Sequence, residues 1–125
     1  ANEIISAIHI PNIDGYQGYA KVGVRNAMVI SIASACLVHD PKNKRVALAL
    51  GAVGPTIIRC RESEVWLGEN ADLSTSASLS PEVLEEFAHR VSSEARPITD
   101  HRSTAEYRTH AVGVLAQRLL KRAMQ

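Results

Sequence analysis

The chain has 125 residues, enough for one domain with one modest core. Hydrophobic residues make up 46% and aromatics only 4%, so a packed globule with an aliphatic core of Ile, Val, Leu and Ala is expected rather than disorder. A net charge of +1 gives no bulk attraction to nucleic acid or to an anionic membrane. No apolar run reaches the roughly 18 residues of a membrane span, and no secretory signal is present. Cys36 and Cys60 lie in strand-like apolar surroundings, so reduced, buried thiols in a cytoplasmic protein are expected.

The chain starts abruptly in strand pattern, as a piece of a longer protein would. Glu3 to Ile10 alternates Ile4, Ser6, Ile8 and Ile10 against Ile5, Ala7 and His9, and Pro11 stops its ladder. Asp14-Gly15 marks a turn. A short strand is expected over Tyr19 to Val24, then a long apolar one over Ala27 to Val38, rich in Val and Ile. Such a strand is covered on both faces, or packs a helix closely on its small-residue side: Ala27, Ser31, Ala33 and Ala35. His39 to Lys44 reads as a polar hairpin connection. Arg45 to Ala52 alternates Val46, Leu48 and Leu50 against Ala47 and Ala49, a fourth strand. Gly51 and Gly54-Pro55 mark a bend. Thr56 to Arg61 is either a strand end or an extended approach to a helix.

The period then changes. Glu62 to Leu67 predicts a short helical turn ended by Gly68. Glu69 to Leu79 is polar loop. Ser80-Pro81-Glu82 predicts a helix start, with Ser as cap, Pro at the first position and an acid in the first turn. Val83, Leu84, Phe87, Ala88 and Val91 form its apolar face, and it ends near Ala95. Ser103-Thr104-Ala105-Glu106 fits a capping box with Ser103 as cap, opening a last helix to about Arg122. Its expected stripe is Tyr107, Ala111, Val114, Leu115, Arg118 and Leu119. Strands first and helices last argue an α+β fold, an antiparallel sheet of three to four strands with about three helices on one face.

Little in the chain looks like autonomous chemistry. The five histidines form no helical i, i+3 or i, i+4 pair, and Cys36 and His39 have no second pair, so no metal site is expected. No nucleophile signature surrounds a serine or cysteine, and Glu82, Glu85 and Glu86 read as a solvated face. Gly51 to Gly54 lacks the spacing of a phosphate loop. No catalytic residue is therefore assigned. Lys21 and Arg25, four apart, would share a face if both lay on one strand; they either pair with acids or meet an anionic ligand. The charged entry to the last helix, from Asp100 and Arg102 to Arg108, reads as capping and ion pairing.

The order and spacing of several motifs nevertheless resemble one family across nearly the whole chain. They are Glu3 to Pro11, Tyr19 to Ala27, Gly51 to Thr56 with Arg59, Glu62 to Gly68, Asp100 to Arg108, and Leu119 to Ala123. Together they look like the C-terminal domain of the FAD-binding (medium) subunit of molybdenum hydroxylases, the xanthine dehydrogenase and carbon monoxide dehydrogenase family. The resemblance implies that residues 1–11 are the tail strand of a preceding FAD-binding domain, and that upstream domains hold most of the FAD. It also implies iron–sulfur and molybdopterin subunits as partners, with electrons passing from molybdenum through two [2Fe–2S] clusters to FAD. It places Ile4 and Ile5 beside the isoalloxazine ring and Lys21 near the flavin. Apolar side chains suit the ring faces, and a cation nearby favours its anionic reduced form. The isolated domain is expected to be empty of FAD and without catalysis. The other reading is a free-standing interaction or dimerisation module of the same build; a small enzyme in its own right is a third.

Overall fold

The central strand of the sheet, β2, spans Ala33–Asp40. Its inward set is Ala33, Ala35, Leu37 and His39, all buried. It is flanked by β1, Gln17–Val22, and β3, Arg45–Gly51, and β3 pairs with the short β4, Ile58–Arg59. All three pairings are antiparallel and the order is β1-β2-β3-β4, so each strand lies beside its sequence neighbour. Three helices follow: α1, Arg61–Asn70; α2, Pro81–Glu94; and α3, Ala105–Ala123. This computed structural model describes residues 2–125 and has the expected α+β architecture.

Register explains where the core sits. Leu37 faces Leu48 and Ala35 faces Leu50 across β2 and β3, so one face of the sheet is aliphatic. The small Ala33 and Ala35 let α3 lie close against β2, while α1 covers β3 and α2 packs on α3 and α1. The apolar face of α2 is as expected, with Leu84, Phe87 and Val91 buried. Ser80 caps it, its hydroxyl accepting from the Val83 N–H at 3.4 Å.

Several expectations fail for identifiable reasons. Residues 3–10 form no strand, because no neighbouring strand among the described residues offers a ladder to their alternation. The long apolar strand begins only at Ala33. The last rung of the β1–β2 ladder is Val22 with Ala33, and the Ile32 N–H closes onto the Val22 carbonyl at 2.7 Å, so residues 23–31 have no strand opposite them. Ala27 is therefore exposed, and Met28 is 99% exposed. Of the two arrangements open to the apolar strand, β2 takes the second, with α3 on its small-residue side at Ala33 and Ala35; on its other face Cys36 is exposed, contrary to its expected burial. At its other end β2 runs on through His39 and Asp40, and the turn is left to residues 41–44. Gly68 does not stop α1: it does not take the positive φ of a glycine cap, and the helix continues to Asn70. The cap of α3 is Thr104 rather than Ser103; its Oγ1 accepts from the Tyr107 N–H at 3.2 Å. The buried stripe of α3 is turned accordingly, to Arg108, Ala111, Val112, Leu115, Ala116, Leu119 and Leu120, leaving Tyr107 47% exposed.

Candidate functional site

Among the described residues, one face of the sheet has no helix over it, although Ser34 and Asp40 on that face are buried. Gln17, Tyr19 and Lys21 of β1 are exposed there, and across the ladder stand Cys36, opposite Tyr19, and Ser34, opposite Lys21. Ala47 and Ala49 of β3 continue the face as a shallow floor of small side chains, with Arg59 of β4 at its edge. The alternation of β1 and β3 produces this directly, because every second residue points away from the helices.

Lys21 lies at the end of β1. Its Nζ donates to the Val29 carbonyl at 2.7 Å, which ties the returning 23–31 segment to the strand. Among the described residues, no carboxylate pairs with it, so its positive charge is not neutralised within the chain. Arg25 does not share its face, since β1 ends at Val22 and Arg25 falls in the following bends. Ile4 and Ile5 are 93% and 84% exposed and take no part in the core. The three side chains expected beside a flavin are thus all available at the surface.

A second cluster is built where β3 exits and α3 begins. Ala52 takes a positive φ of 63°, turning its carbonyl toward the helix. Arg108, 6% exposed, donates from Nη1 to that carbonyl at 2.9 Å and from Nη2 to Asp100 Oδ1 at 2.6 Å. Asp100 also accepts from the Arg102 and Ser103 N–H groups. The Arg102 N–H, joined by the Arg108 guanidinium and the Ser103 N–H, holds its carboxyl below the ordinary range against the opposing effect of burial. The charges at this entrance do serve capping and ion pairing, as expected; the burial of Arg108 is the part the sequence reading did not include. The signal was there: Arg108 stands three and four residues before Ala111 and Val112, on the buried stripe.

Other polar groups hold elements together. Glu64 of α1 accepts from the Leu48 N–H at 2.7 Å and from Arg59, raising the Arg59 guanidinium. Glu94 accepts from the Ser63 N–H at 2.9 Å and binds its hydroxyl, joining α2 to the start of α1. Burial, helped by Glu94 and Glu64, pushes the neighbouring Cys60 thiol up to about 12, so it is a neutral core group rather than a nucleophile. His39, wholly buried, binds the Leu73 carbonyl through Nε2 at 3.0 Å and fastens the 71–79 segment to the sheet. Among the described residues no group of three or more His, Cys, Asp or Glu side chains could hold a metal. Among the described residues no helix is long and apolar enough to cross a membrane.

Comparison with known proteins places this arrangement. The family model described as the CO dehydrogenase flavoprotein C-terminal domain matches residues 19–123. The chain is 30% identical over 122 residues to the glyceraldehyde dehydrogenase medium chain of Sulfolobus acidocaldarius, covering 95% of this chain and 41% of that one. It is 27% identical over 129 residues to the xanthine dehydrogenase FAD-binding subunit of Escherichia coli O157:H7, covering 98% and 42%. The chain thus spans about two fifths of the length of these relatives. In fold it is similar to the CO dehydrogenase of Oligotropha carboxidovorans, with a TM-score of 0.71 at 23% identity over 86% of this chain and 36% of that one. A match that runs from the β1 strand carrying Lys21 to the end of α3 takes in every regular element, and the chain belongs to the CO dehydrogenase flavoprotein C-terminal domain family.

Proposed function

We propose that this chain is the C-terminal part of the FAD-binding medium subunit of a cytoplasmic molybdenum hydroxylase, where it helps to wall the flavin and to seat the neighbouring subunits. The observation that carries the reading is Lys21: an ammonium on the uncovered sheet face, held by a carbonyl and paired with no acid among the described residues. When bound, FAD supplies the redox chemistry, taking electrons from the iron–sulfur and molybdopterin subunits. This chain's own residues orient and solvate it. Lys21 offers positive charge to the ring, and Ile4 and Ile5 offer apolar contact. Ile4, Ile5, Ile8 and Ile10 are each at least 79% exposed, an apolar strip that the upstream FAD-binding domain covers in the whole subunit. In the whole subunit that domain would then supply the strand partner that residues 3–10 lack here, making them its tail strand.

The test is Lys21→Ala in the full-length subunit, with Lys21→Arg beside it. Losing a cation near the ring weakens the reduced form by about 1 kcal/mol at water-like screening, on the order of 20 mV for a two-electron couple. The expected result is a lower flavin midpoint potential or reduced flavin content in the Ala variant, with the Arg variant closer to wild type. An Ala variant with unaltered potential and flavin content refutes the role of Lys21.

A further inference from the structure

A cleft of about 380 Å³ opens beside the Arg108 cluster, between the bend after β3, the 96–102 segment and Ile30. Its size falls in the range of small-molecule sites, about 300–1,000 Å³. Its walls are apolar: Pro55, Ile30 at 67% exposure and Ile98 at 68%. Its charged groups are three guanidinium groups, Arg96, Arg102 and Arg108, against one carboxylate, Asp100, and no other acid lines it.

These groups are unevenly satisfied. Arg108 spends Nη1 and Nη2 on Ala52 and Asp100, but its buried Nε has no partner. Arg102 reaches Asp100 Oδ2 only at 3.6 Å, too long for a hydrogen bond. Arg96 binds the Ser93 and Ala95 carbonyls through Nη1 alone. A single acid cannot neutralise three guanidinium groups, and the planar fork of Arg matches a carboxylate in two parallel hydrogen bonds.

We propose that this cleft binds a small organic monocarboxylate, its carboxylate on Arg102 above the Arg108–Asp100 pair and its apolar body against Ile30, Pro55 and Ile98. The proposal does not depend on the flavin reading, which concerns Lys21. Benzoate is the probe, with benzamide as its neutral counterpart and inorganic phosphate as an anion without an apolar body, each followed by amide NMR on the 125-residue chain. Benzoate is expected to shift the amides of residues 53–58 and 98–103 saturably at up to about 10 mM. Arg102→Gln, a partly exposed position, should weaken that binding by about tenfold while leaving a dispersed spectrum. No saturable shift, equal binding of benzamide, shifts scattered over the surface, or an unaffected Arg102→Gln variant overturns the assignment. Phosphate binding as tightly as benzoate overturns the apolar half of it.

Discussion

Gly113 lies where α3 passes closest to α2, and replacing it with Ala sets two effects against each other. A Cβ there would run into Ser92 Oγ and stand 2.9 Å from the Ala88 carbonyl oxygen. Ser92 can rotate, at the cost of its 3.1 Å hydrogen bond to the Thr109 carbonyl, but the Ala88 carbonyl belongs to the helix backbone and moves only with α2. Helix propensity favours Ala over Gly by about 1 kcal/mol. Overpacking costs about 1–3 kcal/mol, and losing the Ser92 bond about 1 kcal/mol more. The net expectation is a destabilisation of about 1–3 kcal/mol, a fall in Tm of roughly 4–12 °C for a chain of this size. Gly68→Ala is the matched control: nothing lies within 4 Å of the new methyl group, so propensity acts alone and the helix gains about 0.5–1 kcal/mol. Thermal and urea unfolding of both variants, read by far-UV circular dichroism, decides the matter. A Gly113→Ala chain as stable as wild type, or two substitutions shifting stability in the same direction, would refute the close α2–α3 crossing.

The remaining predictions concern caps, core and thiols. Thr104→Ala should cost about 1 kcal/mol in urea unfolding and Ser103→Ala much less, because Thr104 caps α3. Phe87, fully buried among α2 and its neighbours, should cost about 3–5 kcal/mol on truncation to Ala. A thiol reagent should titrate one cysteine in the native chain, the exposed Cys36, and none in Cys36→Ser, while Cys60 reacts only on unfolding. Because the Cys60 pKa is raised from 9.0 to about 12, the folded state holds its proton longer than the unfolded state does. Its contribution to stability is complete below pH 9 and is lost as pH rises toward 12; Cys60→Ala should remove that alkaline loss from a series of unfolding curves.

Where local chemistry decides structure, reading residues was enough. Ser80-Pro81-Glu82 starts α2 because cap, proline and acid act within one turn, and the alternation of Val46, Leu48 and Leu50 needs no distant partner to define a face. Failures arise where the answer lies across the fold. Nothing within Met28 to Ile32 says that the β1–β2 ladder ends at Val22, so the apolar run alone predicts a longer strand than the fold contains. Ion pairing at Arg108 is readable from the nearby acids, but its burial depends on the distant Ala52 carbonyl and on Asp100 meeting it. Cys36 sits among apolar neighbours in sequence but on the bare face of the sheet. Of the candidate site, the motif naming Lys21 was legible; its tie to Val29 was not, because an eight-residue return of the backbone leaves no local mark.

The packing of α3 against β2 and β1 has a consequence for synthesis. The strands leave the ribosome before the helix that covers their inner face, Ala105–Ala123. Until it emerges, Ala33, Ala35 and Leu37 lack their cover and Leu48 and Leu50 keep only what α1 provides. The nascent chain therefore passes through a stage in which a bare aliphatic sheet waits for its last helix, the stage at which holding chaperones act and at which truncation within α3 would be most damaging.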